Sequence, residues 1–84
     1  MSTNLYVGNL AFSTSSDDLK RLFAAHGTVD KAQVITDRDT GRSRGFGFVE
    51  MESLDGAKDA IRTLDGHSVD GRQLTVNMAR PRSS

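Results

Sequence analysis

Between Arg44 and Met51 the chain reads RGFGFVEM, which places Phe46 and Phe48 two residues apart beside an arginine. Side chains two apart on a strand share one face, so Arg44, Phe46 and Phe48 project together. A third ring, Tyr6, stands in LYVGNL near the amino end. Flat rings beside a guanidinium suit one chemistry above others. Aromatic faces stack on nucleobases at about 1 to 3 kcal/mol per base, and a guanidinium pairs bidentately with a phosphate.

Other chemistries lack their residues. The chain has no cysteine, which removes disulfide frameworks, thiolate metal ligands and cysteine nucleophiles and fits a reducing compartment. His26 falls on the apolar stripe of a helix near its end, and His67 follows a helix stop with no second ligand at metal spacing, so neither a metal nor another cofactor is implied. Ser15 and Ser16 are helix-start residues with no base near them in sequence. Gly45 and Gly47 form GxG without a third glycine or a following helix, which excludes a dinucleotide fingerprint.

Eighty-four residues make one domain, short enough that its core must use two layers efficiently. Lys plus Arg equals Asp plus Glu at 11 each, with a pI near 6.7, so a polyanion would be held by local charge and not by a global basic field. The apolar runs are only a few residues long, and MSTNLYV has neither a basic segment nor a small-residue cleavage site; no membrane span or leader is expected.

The elements that must position the rings follow from periodicity. Leu5 to Leu10 reads as a short strand, and AFSTSSDD closes it with turn formers. A helix follows, with Thr14 and Asp17 spaced as a capping box; Leu19, Leu22, Phe23 and His26 form its stripe, and Gly27 is placed to end it in the left-handed conformation. Val29 to Thr36 alternates as a second strand, and DRDTGRS is a charged loop. Arg44 to Met51 is the third strand. Ser53 caps a second helix with Ala57, Ala60, Ile61 and Leu64 as its stripe, Gly56 weakening its first turn and Asp65-Gly66 ending it. Asp70-Gly71 signals a tight turn, Gln73 to Met78 is the last strand, and ARPRSS is a short basic tail.

The order β-α-β-β-α-β, with right-handed crossovers, packs two helices on one face of a four-stranded antiparallel sheet, the α+β ferredoxin-like arrangement. The narrow helix stripes cover one sheet face and leave the other open. In the third strand the set carrying Arg44 and Glu50 cannot face the core, so Phe46 and Phe48 go to the open face, and Gly45, Gly47, Val49 and Met51 go inward. In the first strand Leu5 and Val7 point inward, Tyr6 and Gly8 outward. Of one tyrosine and four phenylalanines, three rings are thus placed on the solvent face, the pattern of an interaction surface.

RGFGFVEM resembles the octamer signature of the RNA recognition motif (RRM) family, K/R-G-F/Y-G/A-F-V-x-F/Y, at every specified place but the last, where Met51 replaces an aromatic. LYVGNL is similar to its companion hexamer. The resemblance continues through STSSDDLKRLF, DGHSVDGRQLTV and MAR, covering about residues 4 to 80. It implies a single RRM domain over residues 1–80 with a basic, serine-containing tail at 81–84, similar to small single-RRM bacterial proteins and to the RRM of glycine-rich RNA-binding proteins. Since Met51 falls inward, that departure concerns packing.

Carried over residue by residue, the resemblance implies that Tyr6 and Phe48 each stack a base, that Phe46 packs against the sugars between them, and that Arg44 pairs with a phosphate. Thr75, Asn77, Ala79 and Arg80 would read base edges. Lys31 and Gln33, on the second strand, would join the same face, and Arg38, Arg42 and Ser43 would close the loop over the RNA. Two stacked bases and a few cations imply micromolar or weaker affinity. The implied function is non-catalytic binding of single-stranded RNA, with single-stranded DNA as a further ligand, by an intracellular monomer with no membrane or small-molecule substrate. It would serve post-transcriptional regulation or RNA chaperoning. Two other readings stand beside it. The same rings could receive a protein, or the topology could host an enzyme such as an acyl phosphate hydrolase, for which the anion-cradling loop with its arginine and asparagine is not found.

Overall fold

A computed structural model describes residues 3–69 and 71–79. The elements run β1 (Thr3–Gly8), α1 (Ser16–Ala24), β2 (Val29–Thr36), β3 (Ser43–Met51), α2 (Leu54–Leu64), β4 (Ser68–Val69), β5 (Arg72–Gln73) and β6 (Thr75–Met78). Four of the strands form an antiparallel sheet in the order β2-β3-β1-β6, and β4 and β5 form a separate two-stranded ribbon. The expected ferredoxin-like architecture is present.

The core lies between the helices and one sheet face. Leu5, Val7, Val49, Met51 and Val76 come from the sheet, and Leu19, Phe23, Ala57, Ala60 and Leu64 from the helices. Met51 is fully buried, so the side chain that departs from the octamer pattern packs beneath the sheet. Gly47 is also on this side, where an added Cβ would lie 2.5 Å from the Gln33 carbonyl oxygen and 3.2 Å from Leu19. The missing side chain makes room first for the β2 backbone at Gln33 and Val34 and then for the Leu19 side chain of α1.

Several boundaries differ from expectation for local reasons. Helix α1 is capped one residue later than Thr14. The Ser15 hydroxyl accepts from the Asp18 N–H at 3.1 Å, and the Asp18 carboxylate accepts from the Ser15 N–H at 3.0 Å. Two overlapping pairs share the same spacing, and the reciprocal one forms. Ser16 then stands at the first helical position, where its hydroxyl accepts from the Val34 N–H at 3.0 Å and ties the helix to β2. Gly27 does not end α1 in the left-handed conformation: the helix closes at Ala25 in right-handed geometry, and Gly27 has φ 155°. It sits instead against Gly56, where an added Cβ on Gly27 would lie 3.4 Å from the Gly56 Cα. Gly56, costly to helix propensity, is thus the point where α2 crosses the α1–β2 connection closely.

Strand β1 ends at Gly8 and not at Leu10, because Asn9 adopts the left-handed conformation with φ 59°. Its side-chain amide donates to the Gln73 carbonyl at 2.6 Å, a bond that fixes the strand end against the β5 ribbon. The last strand divides at Leu74, whose N–H donates to the His67 carbonyl at 3.0 Å and whose carbonyl accepts from the Gly66 N–H at 2.7 Å. Leu74 is buried by this turn back onto the end of α2, leaving Thr75–Met78 to pair with β1.

Candidate nucleic-acid interface

On the face away from the helices, β-pairing brings the sequence-selected residues into rows. Gln33 pairs with Phe48, Phe48 with Tyr6, and Tyr6 with Asn77, so one row crosses all four strands. Phe46 pairs with Gly8, and Gly8 with Thr75, in the next row. Lys31 pairs with Glu50, and Glu50 with Asn4, on the other side. Facing residues of paired strands share a sheet face, which puts Lys31, Gln33, Thr75 and Asn77 with the rings.

The position of Lys31 depends on a bulge. Val29 pairs with the buried Met51, yet Lys31, two residues on, pairs with the outward Glu50; the register slips between them. Without that extra residue the two would lie on one side. The bulge re-aims Lys31 at the open face while Val29 stays against the core.

The three rings form a triangle. Centroids are 6.0 Å apart for Tyr6–Phe46, 6.0 Å for Tyr6–Phe48 and 6.1 Å for Phe46–Phe48. Phe48 meets both neighbours edge-on, a favourable arrangement for ring quadrupoles, and remains 41% exposed. Tyr6 lies along its own strand over Gly8, where an added Cβ would meet the phenol oxygen at 2.7 Å. Gly8 therefore makes room for the tyrosine ring itself.

Beside Phe48 is a depression of about 250 Å³, lined by Asn4, Lys31, Gln33, Phe48, Glu50 and Ala79 among others. Four residues chosen from sequence meet there. Asn4 and Glu50 were not chosen; Glu50 lies at an outward position of a strand already assigned, and Asn4 two residues before Tyr6 shares its face because β1 starts earlier, at Thr3, than the expected Leu5. The Ala79 N–H donates to the Asn4 carbonyl at 2.9 Å, which prolongs the β1–β6 pairing past Met78. Arg80 lies outside the described residues.

The loop between β2 and β3 is internally closed. Asp37 accepts through its carboxylate from the Asp39 N–H at 2.8 Å, its carbonyl accepts from the Gly41 N–H at 2.8 Å, and its own N–H donates to the Arg42 carbonyl at 2.7 Å. Arg38, Arg42 and Arg44 are exposed. Arg42, Ser43 and Arg44 line a larger cleft of about 690 Å³ together with Asp37, Thr40 and Gly41, and none of the three sheet-face rings lines it. Sequence reasoning missed Phe12, also on this cleft and 69% exposed.

Away from this face, two carboxylates are held below the usual carboxylate range. Asp18 is lowered by its hydrogen bonds to the Ser15 backbone and hydroxyl. Asp59 is lowered by hydrogen bonds to His26, at 2.7 Å, and to Arg62, at 2.6 Å. His26, expected on the apolar stripe, is half-buried and ties the end of α1 to α2 through Asp59.

The family model for the RNA recognition motif matches residues 5–75. Over 79 residues the chain is 54% identical to RbpE of Nostoc sp., with 94% of this chain and 80% of the relative covered. It is 50% identical over 84 residues to glycine-rich RNA-binding protein 4, mitochondrial, of Arabidopsis thaliana, covering 100% of this chain and 62% of that one. Other relatives bear chloroplastic names. Its fold superimposes on the solved Sxl-lethal protein/RNA complex with a TM-score of 0.90 at 34% identity, covering 96% of this chain and 48% of that one. With the sheet order, the two ring-bearing strands and a family match over most of its length, the chain belongs to the RNA recognition motif family of non-catalytic RNA-binding modules.

Proposed function

We propose that this chain binds single-stranded RNA across the open sheet face, with Tyr6 and Phe48 each stacking one base, Phe46 against the sugars and Arg44 on a phosphate. The observation that carries this reading is the ring triangle on the sheet face opposite the core, with Phe48 exposed and Tyr6 and Phe46 half-buried beside it. Lys31, Gln33, Thr75, Asn77 and Ala79 border the rings and would contact base edges, as would Arg80, which follows Ala79 in sequence. Arg38, Arg42 and Ser43 would close over the strand. Residues 1–80 act as one domain, with 81–84 as a tail. It acts as a monomer, is not an enzyme, and accepts single-stranded DNA more weakly, since only RNA offers 2′-hydroxyls. The organelle and bacterial relatives favour an intracellular setting, cytoplasmic in a bacterium, and a role in transcript regulation or RNA chaperoning.

The charge balance sets the test. Binding to single strands loses about 0.7 log unit per phosphate neutralised for each log of salt, so two to four cations on this face give a slope of roughly −1.5 to −3. Fluorescence anisotropy with short random RNA over a salt series should return that range. Absence of binding at low salt would contradict the reading, and a slope near zero would remove the cations from it.

A further inference from the structure

Glu50 puts a carboxylate on the face that the rings and the cations prepare for a polyanion. It stands two residues after Phe48 on β3, half-buried, with Lys31 opposite it on β2 and Asn4 opposite it on β1. Directly opposed residues on paired strands stand roughly 5 Å apart at Cβ, yet among the described residues no ion pair joins Lys31 to Glu50. The two side chains lie side by side with their polar groups uncommitted. If they were only a solvated charge pair, removing the carboxylate would help every RNA, because one repulsion of phosphate is lost.

Both line the depression of about 250 Å³ beside Phe48. A base lying on the exposed Phe48 ring turns one edge toward it. That edge meets a donor next to two acceptors, since the Lys31 ammonium only donates and the Glu50 carboxylate only accepts, through two oxygens. The bases differ in what they offer in return. The Watson–Crick edge of guanine carries an acceptor, O6, followed by two adjacent donors, N1–H and N2–H. Adenine and cytosine each offer one donor beside a ring-nitrogen acceptor, and uracil one donor between two carbonyl oxygens, so a carboxylate meets lone pairs on all three. Asn4 and Gln33 flank the pair with amides, which donate or accept as needed and carry no preference of their own.

We propose that this depression selects guanine, with the Glu50 carboxylate accepting from N1–H and N2–H and the Lys31 ammonium donating to O6 while the base stacks on Phe48. The proposal rests on the reading of the sheet face as an RNA site and gives that site a base preference. Glu50 is the specificity-determining residue, its repulsion of phosphate offset only where two donors meet it. A charge-assisted bidentate pair discriminates against a wrong base by about 5- to 150-fold.

The experiment uses uridine RNAs of about four nucleotides, carrying a single guanosine, adenosine, cytidine or inosine at each position in turn, against the all-uridine oligomer in fluorescence anisotropy. Wild type should bind the best-placed guanosine oligomer about 5- to 150-fold more tightly than its adenosine and cytidine counterparts. Inosine, which keeps O6 and N1–H and lacks the N2 amine, should fall between. Glu50→Gln, checked for an unchanged melt, should lose the guanosine preference and bind all-uridine RNA as well as before or better. Wild type without a guanosine preference overturns the proposal and keeps the sheet-face reading, as does a preference that survives in Glu50→Gln, since guanine is then read elsewhere. Inosine bound as tightly as guanosine overturns the bidentate pairing. Equal loss on every oligomer in Glu50→Gln also overturns the proposal, since Glu50 would then support binding and not selection. If wild type binds none of the oligomers, the sheet-face reading falls first and guanine selection with it.

Discussion

Replacing Phe48 with leucine separates what the ring does for the fold from what it does for a ligand. The ring is 41% exposed and edge-on to Tyr6 and Phe46 at 6.0 Å and 6.1 Å. Leucine keeps an apolar side chain but has no flat face. Near-isosteric apolar exchanges cost under about 1.5 kcal/mol, and ring pairs add about 0.5 to 1.5 kcal/mol beyond burial. Exposure puts both effects near their lower ends, giving a loss of about 1 to 2 kcal/mol. Against a domain stability of about 5 to 15 kcal/mol, the variant stays folded. A stacked base is worth about 1 to 3 kcal/mol, so affinity for short RNA should fall about 5- to 150-fold. Phe48→Tyr, which keeps the face, should bind within about threefold of wild type. Urea denaturation gives the first quantity and fluorescence anisotropy the second. A folded Phe48→Leu protein that binds RNA like wild type would refute the stacking argument.

Further predictions concern the backbone and the helix pair. Gly45→Ala should destabilise by about 1 to 2 kcal/mol in denaturant. The cost is conformational, because the added methyl would meet only ordinary contacts at 3.7 Å and 3.9 Å, while φ is 83°. Unchanged stability would mean that β3 relaxes there. Asn9→Ala should cost about 2 to 3 kcal/mol, combining left-handed strain with the lost bond to Gln73, whereas Asn9→Gly should recover the conformational part. Equal losses in a melt of both variants would assign the whole effect to the hydrogen bond. Asp18 and Asp59 titrate below the ordinary carboxylate value in the fold, so their contribution is complete above that value. It disappears as the pH falls through their lowered folded values. Stability measured down an acid series should decline there, and Asp59→Asn should flatten the decline; an unchanged slope would exclude Asp59 as a source.

Much of the surface was legible because alternation on a strand carries direct geometric information. Arg44 and Glu50 could not face a core, and that sorted every residue between them. The order of elements then left only one face open. What could not be read depended on contacts distant in sequence. The bulge that turns Lys31 outward is set by pairing with Met51 and Glu50. Asn9 ends β1 early through its bond to Gln73, and Leu74 divides the last strand by folding back onto the end of α2. Thr14 and Ser15 each have an aspartate three residues on, and sequence alone did not distinguish which would cap. Phe12 looked like one more turn residue, since nothing in its neighbours announces that Arg72, from the far end of the chain, lies over it.

The account centres on the open face as the RNA site, and amide NMR shifts during titration with short random RNA test it most directly. Shifts should concentrate on Tyr6, Gln33, Arg44 to Phe48, and Asn77 to Ala79, with the outer faces of α1 and α2 unmoved. A folded protein with no shifts at near-millimolar RNA, or with shifts confined to the helices, would contradict it.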